Sequence, residues 1–431
     1  MAANITQTPV LTAAAYNPMV YVVDGLTTED RYVLRVYAGN LAGDLLATFK
    51  QPANPSGVGI FDISKVIQSY MNPVALETTQ RAADTTNAHF TYQVETYLET
   101  GQSPGTIDTD QVRYAINSYD NWRVINPDYS AFQPSPNDIL CETNGNANAR
   151  YVSPLRYLTN YPETYSVRPD EYKTLSFFAK NYNVGPNWGP NEAPFFVSVK
   201  YYNAAGTEVA QGVYALSINN GSTLRTDCDD MGVTITDDNT ITTIAAGPQN
   251  MIDDGITWDN TWASYKVGVY SYDHCLTTTI QNCSSIAEMI GYLGDVIYTA
   301  DFNVDYSCEK FTPVTISFMN QYGVLDYYTF NKRNTKQVNT QRNEYTKALG
   351  SWSSTTFAIN NMERGQTVFS SSANTQMTIS SNWMTDGVSE WLQELYASPY
   401  TNAYVNGRWE PIVITTQTYE EKTYAREQLF Q

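Results

Sequence analysis

Basic residues are scarce in this 431-residue chain, where 25 Lys and Arg stand against 44 Asp and Glu for a formal net charge of −19. A surface that negative repels phosphate backbones and anionic lipid, which excludes a sequence-specific nucleic-acid binder of the usual Lys/Arg-rich kind. Histidine is scarcer still, with only His89 and His274, so chemistry that needs an imidazole base has two candidates. There are five cysteines, Cys141, Cys228, Cys275, Cys283 and Cys308. That is too few for a disulfide scaffold, and the odd count leaves a thiol unpaired in a monomer, so a reducing compartment during folding is the default. No run approaches the roughly 18 apolar residues that span a bilayer. Met1–Gln7 has neither a basic nor an apolar signal region, so the sequence predicts a chain made in the cytoplasm, without membrane insertion. No period of ~20–50 residues marks a solenoid or propeller.

What the chain has in quantity is aromatic contact area: 13% Phe, Trp and Tyr, including 34 Tyr, beside only 16% charged residues. Tyr, Thr and Val favour half-buried pleated surfaces. The expected fold is therefore mainly β, with two or three β-sandwich-like domains and a few short helices. Strand patterns fall at Met19–Val23, Tyr32–Tyr37, Asp44–Phe49, Ala88–Leu98 and Val112–Ile116, with Ala38–Gly43 as a hairpin connection. Asp62 is placed to cap a short helix bearing Ile63, Val66, Ile67 and Tyr70 on one face. A second set of strands covers Thr174–Phe178, Phe195–Tyr202, Val209–Leu216 and Ser264–Tyr270, after a long draped connection from Asn126 to Pro169. A third begins near Asp295–Tyr298 and includes Thr315–Met319, Asp326–Phe330 and Ile412–Thr415. The clearest helix is Gly387–Tyr396, whose Val388, Trp391, Leu392 and Leu395 form an apolar stripe expected to pack on strands near Phe318, Tyr328 and Ile414. These patterns divide the chain into an N-terminal β-sandwich domain (1–125), a middle β domain with its long connecting segment (126–294) and a C-terminal β domain with one amphipathic helix (295–431).

Chemistry-bearing constellations do not form. His89 opens an alternating strand and reads as a structural histidine. His274, Cys275 and Cys283 lack the second close ligand pair of a zinc site. The acidic run Asp227–Asp238 has no EF-hand spacing and reads as a solvated turn, although its carboxylates are hard enough for calcium. Gly185–Pro190 has no Lys-Ser/Thr and is an aromatic-anchored loop around Trp188 rather than a P-loop. Glu390 and Glu394 make a tempting carboxylate pair, but beside the apolar stripe they read as a solvated helix face. The dense basic run is Asn331–Lys336, where Lys332, Arg333 and Lys336 either edge a surface loop or dock on an acidic face of a neighbouring copy.

Several segments resemble virion proteins of tailed bacteriophages, especially phages of Bacteroidota-type hosts: Ile316–Asn331, Glu363-Arg364-Gly365, Ser389–Leu395 and Tyr419–Thr423, with Tyr16–Val23 and Gly57–Tyr70 in the opening half. The likeness covers roughly half the chain. It departs where Val324 follows Gly323, a place where a second Gly is common, which bears on the geometry of that turn. The sequence also stops on Leu429-Phe430-Gln431, so either the end docks or the natural chain continues. The resemblance implies a non-enzymatic structural protein of the virion, without cofactor, that self-associates into a ring with other virion proteins in the tail, baseplate or neck. Tyr and Trp suit such a part, since they supply contact area at low entropic cost. Lys332, Arg333, Lys336 and Trp188 are the interface candidates, and Trp391, Leu392 and Leu395 the structural ones. The alternative is a carbohydrate-binding or carbohydrate-cleaving receptor-recognition protein, in which Trp188, Trp258 and Trp262 stack on sugar rings near Asp253, Asp254 and Asp259.

Overall fold

The computed structural model describes residues 3–25, 31–71, 82–84, 89–100, 103–119, 156–162, 164–179, 196–215, 240–253, 255–272, 290, 293–308, 310–359, 362, 365–382 and 384–416. The chain opens with β1 (Asn4–Gln7), β2 (Thr12–Ala14), β3 (Val20–Asp24), β4 (Arg31–Ala38), β5 (Leu45–Pro52) and β6 (Gly59–Asp62). A helix at Ser64–Gln68 leads to β7 (Ala82–Asp84), β8 (His89–Thr100), β9 (Ser103–Pro104), β10 (Asp108–Thr109) and β11 (Arg113–Ile116). The middle of the chain forms β12 (Thr164–Val167), β13 (Thr174–Ala179), β14 (Phe196–Tyr202), β15 (Glu208–Ala215), β16 (Thr240–Ala245), a helix at Pro248–Asp253, β17 (Ser264–Tyr272) and β18 (Leu293–Val304). It ends with β19 (Val314–Met319), β20 (Leu325–Phe330), β21 (Thr335–Thr346), β22 (Ser351–Trp352), β23 (Phe357–Ala358), β24 (Gln366–Thr378), helices at Asp386–Leu392 and Glu394–Ala397, β25 (Thr401–Val405) and β26 (Arg408–Pro411). The protein is mainly β, in several separate sheets with a few short helices.

Alternating side chains explain the first sandwich. Tyr21 and Val23 on β3 face Tyr32, Leu34 and Val36 on β4 and Tyr92 and Val94 on β8, so the sheet β1-β3-β6 closes over β2-β11-β8-β4-β5. The expected Asp62 cap is corrected: Ile63 is the N-cap and has no side-chain cap, and Asp62 instead forms an Asx turn at the helix entrance. Its Oδ1 accepts the Ser64 amide at 2.9 Å and the Met19 amide at 3.0 Å, which pins the helix to β3.

The second sandwich faces β13-β16-β7 against β12-β18-β17-β14-β15, with Leu175, Phe177 and Ile244 packed against Val199, Val267 and Tyr298. Its smaller sheet takes its edge strand, β7, from the first eighty-odd residues of the chain. The larger sheet contains β18, the strand that holds Asp295–Tyr298. Within the long connection expected from Asn126 to Pro169, β12 pairs in parallel with β18. Residues 120–155 lie outside the described residues.

In the last sheet, β20-β19-β25-β26, two expectations are corrected. Ile412–Thr415 is not a strand; β26 ends at Pro411, and Ile412 and Ile414 reach the core from extended chain. The Gly387–Tyr396 helix is two short helices that meet at Gln393.

The β19–β20 turn wedges against the first sandwich. Asn320 Oδ1 accepts the amides of Tyr322 at 2.9 Å and Val324 at 3.3 Å. Val324 is buried with Ile116, Leu158, Ile241 and Tyr322, which accounts for an apolar residue where glycine was common. The glycine that matters is Gly323, at φ +82°, where a Cβ would lie 1.9 Å from the Asn117 carbonyl oxygen. Gly323→Ala is therefore expected to destabilise the fold by more than the about 1–3 kcal/mol of backbone strain alone, since Asn117 must also move. Urea unfolding of the variant beside Gly206→Ala, an open positive-φ turn, checks it: the Gly323 change should be much the worse.

Candidate functional site

Two features stand out, one buried and one exposed. The buried one lies where the three regions meet. Oδ2 of Asp326, on β20, accepts hydrogen bonds from Trp391 Nε1 at 2.7 Å, Thr159 Oγ1 at 2.8 Å and Asn320 Nδ2 at 3.0 Å. Beside it, Glu394 accepts Asn160 Nδ2 at 2.6 Å and the Gln321 amide at 3.0 Å, while Tyr119 donates its hydroxyl to the Glu394 carbonyl at 3.1 Å. Glu394 is thus buried, not on a solvated helix face; Gln393 keeps helical dihedrals, so Glu394, three residues after Trp391 and next to Leu395, falls on the buried side, while Glu390 stays exposed. Trp391, Leu392 and Leu395 are buried with Phe318, and Val388, Tyr328 and Ile414 pack against them.

Lys173 completes this junction. Its ammonium lies 4.6 Å from the ring centroids of both Tyr161 and Tyr165. Tyr161 in turn meets Trp391 edge-on at 4.6 Å. Burial pushes the Lys173 ammonium down to about 8, against the opposing pull of Glu171 and Asp326. Burial likewise raises Asp326, against its three donors, and raises Glu171. These groups hold strands from different regions in one register.

The exposed feature is the hairpin β21–β24, paired from Thr335↔Thr378 to Thr346↔Gln366. Every residue of β21 is exposed, and so is almost all of β24. At about 3.4 Å per residue the ribbon is about 40 Å long. At its base Met377 and Ile379 pack on the Trp391 cluster. An isolated two-stranded ribbon is at best marginal in water. This one also exposes apolar side chains, among them Phe369 at 66% and Met362, beyond β23, at 87%. The segment Asn331–Asn382 holds Lys332, Arg333, Lys336, Arg342, Lys347 and Arg364 against Glu344 and Glu363, a net +4 that leaves −23 on the rest of the chain.

The structure therefore places Lys332 and Arg333 at the root of this arm and Lys336 on its second rung, opposite Met377, all three exposed. Sequence reasoning found the basic run and missed the ribbon, because strands polar on both faces carry no apolar alternation. The period-two spacing of Lys336, Val338, Thr340 and Arg342 was the available signal. Trp188, His274, Cys275, Cys283, Asp254 and the acidic run Asp227–Asp238 lie outside the described residues. His89 is buried at the start of β8. Trp262 is buried and stacks on Tyr201 at 3.9 Å, and Trp258 packs edge-on to Trp262 at 5.1 Å. Among the described residues no group of His, Cys, Asp and Glu is arranged to hold a metal ion, and no helix is long and apolar enough to cross a membrane. Cys308 is a free, exposed thiol.

No protein family matches the chain, and no curated protein matches it. Among solved structures, the periplasmic chaperone SfaE is similar at 8% identity over 70% of this chain and 100% of that one, with a TM-score of 0.17. That likeness carries no argument.

Two outcomes are expected at the junction. Trp391→Ala should cost about 3–5 kcal/mol through lost burial and the cavity left behind. Glu394→Ala should cost about 1–3 kcal/mol for each stranded donor, and Glu390→Ala less than about 0.5 kcal/mol; chemical denaturation ranks the three. Lys173 gives the second. With a native pKa near 8 against the ordinary 10.5, the unfolded chain holds more protons between those values, so stability rises with pH there, approaching about 1.4 kcal/mol per pH unit. Thermal melts from pH 8 to 9.5 should show that rise, and Lys173→Met should flatten it.

Proposed function

We propose that this protein is a non-enzymatic structural component of a tailed-phage virion that self-associates into a ring of the tail, baseplate or neck, beside other virion proteins. The observation that carries this reading is the arm: a long ribbon with apolar and basic side chains whose two strands are exposed along almost their whole length and whose base packs on the Trp391 cluster. Such an element is maintained for contact with another chain, since alone it gains little stability.

The residues of the phage resemblance support the same reading. Asn320–Val324 form the wedge turn, Trp391 and Leu392 fill the C-terminal core, and Asp62 pins a helix to its sheet. These are architectural roles. Nothing favours the carbohydrate reading over it: one face of Trp262 is covered by Tyr201, and Trp258 is packed among Tyr201, Trp262 and Tyr265.

Electron microscopy of purified particles, with the chain placed in density, tests the proposal. A ring of copies in the tail, baseplate or neck is the expected result. Absence from the particle, together with glycan-array binding or release of reducing sugar by the purified protein, would sink it.

A further inference from the structure

The arm has two chemically different faces. Because opposed residues of an antiparallel pair share a face, Lys336, Val338 and Arg342 lie with Met377 and Ala373 on one side. The other side carries Gln337, Asn339, Gln341 and Asn343 opposite Gln376, Asn374, Ser372 and Ser370. On that amide face Gln337 Nε2 donates to Asn339 Oδ1 at 2.9 Å and Asn343 Nδ2 to Ser370 Oγ at 3.0 Å, so these groups already engage one another. The first face is basic and apolar, and its net-positive ribbon belongs to a chain whose remaining residues sum to −23.

Resting on the structural reading above, we infer that the arm of one copy docks through its Lys336–Val338–Arg342 face on the acidic body of a second copy, in a head-to-tail contact. Charge selects this occupant. Two bodies repel each other, two arms repel each other, and arm on body is the attractive pairing. One face of a ribbon about 40 Å long and about 10 Å wide offers about 400 Å², about half the ~800 Å² per partner of a standard interface, so the contact is of the small, salt-sensitive kind. A heterologous contact of this kind closes into a ring when the rotation between copies permits.

The test uses the full chain and two variants: Lys336→Glu with Arg342→Glu, and a shortened arm in which residues 339–374 are replaced by an Asn-Gly turn, which keeps the base pairs and Met377. Sedimentation at 50 and 500 mM salt should show the native chain as a closed oligomer whose association weakens at least tenfold at high salt. The charge-reversed chain should weaken at least tenfold at low salt. The shortened chain should be monomeric, with unchanged near-ultraviolet circular dichroism. Mixed with native chain, the shortened chain can receive an arm but not donate one, so it should cap assemblies into short open species. Three results overturn the inference: a native chain that stays monomeric at about 100 µM, a shortened chain that still assembles, or a shortened chain that ignores native chain, which would mean arm-to-arm pairing. Each can occur while the protein is still found in the particle, so this contact and the virion reading fail separately.

Discussion

Three donors converging on one oxygen of Asp326 fix the relation among the parts of this chain. A carboxylate removed from water costs several kcal/mol unless its lone pairs are met. Here the donors come from three places: Thr159 before β12, Asn320 at the end of β19, and Trp391 in the C-terminal helix. Shift any of them by one residue and a charge is left buried without its partners. The penalty for misassembly is thus larger than the net gain from assembly, so the cluster acts on register more than on stability. Asn320 shows how fully such groups are used. Its amide nitrogen reaches the Leu158 carbonyl as well as Asp326, while its oxygen takes the Tyr322 and Val324 amides.

From that point an aromatic column runs outward. Trp391 meets Tyr161, Tyr161 stacks on Tyr165 at 4.2 Å, Tyr165 on Phe302 at 4.7 Å, and Phe302 on Tyr265 at 4.5 Å. Much of the tyrosine so abundant in the composition is therefore internal to the chain. The column joins the C-terminal helix to the core of the middle sheet, and the arm is rooted on the same Trp391 cluster through Met377 and Ile379. A lever about 40 Å long transmits orientation only if its root is fixed. The buried cluster supplies that root.

Much of this was legible in the sequence, for identifiable reasons. Strands with one buried face, such as β3, β4, β8 and β14, announce themselves by alternation or by unbroken apolar runs. The Asp62 turn before the first helix and the Asn203–Gly206 turn follow from local backbone chemistry, with Gly206 at φ +76°. What stayed hidden depends on distant partners. Glu394 looks like one of a solvent-facing pair until residues more than 70 positions away close over it. Lys173 gives no sign of burial beside Glu171. β21 and β24 lack a buried face on their own chain, so only the faint period-two spacing of Lys336, Val338, Thr340 and Arg342 separates them from a polar loop. Of the candidate site, the basic charge was visible and the ribbon that displays it was not.

The two features divide one problem between them. A repeating assembly needs copies that hold their own shape and one contact that recognises the next copy in a single orientation. Burying charge at the junction serves the first need, because discrete hydrogen bonds leave few alternative packings. Segregating charge between arm and body serves the second. If acids were spread evenly over arm and body, every face would repel every other. With only two of the 44 acids beside six basic residues in segment 331–382, the arm is left net positive against an acidic body, an attraction steered over roughly the 8–10 Å of a Debye length at physiological salt. Apolar groups such as Val338 and Phe369 then add non-directional burial once the ribbon is seated. Electrostatics thus chooses the orientation, and the hydrophobic effect retains it.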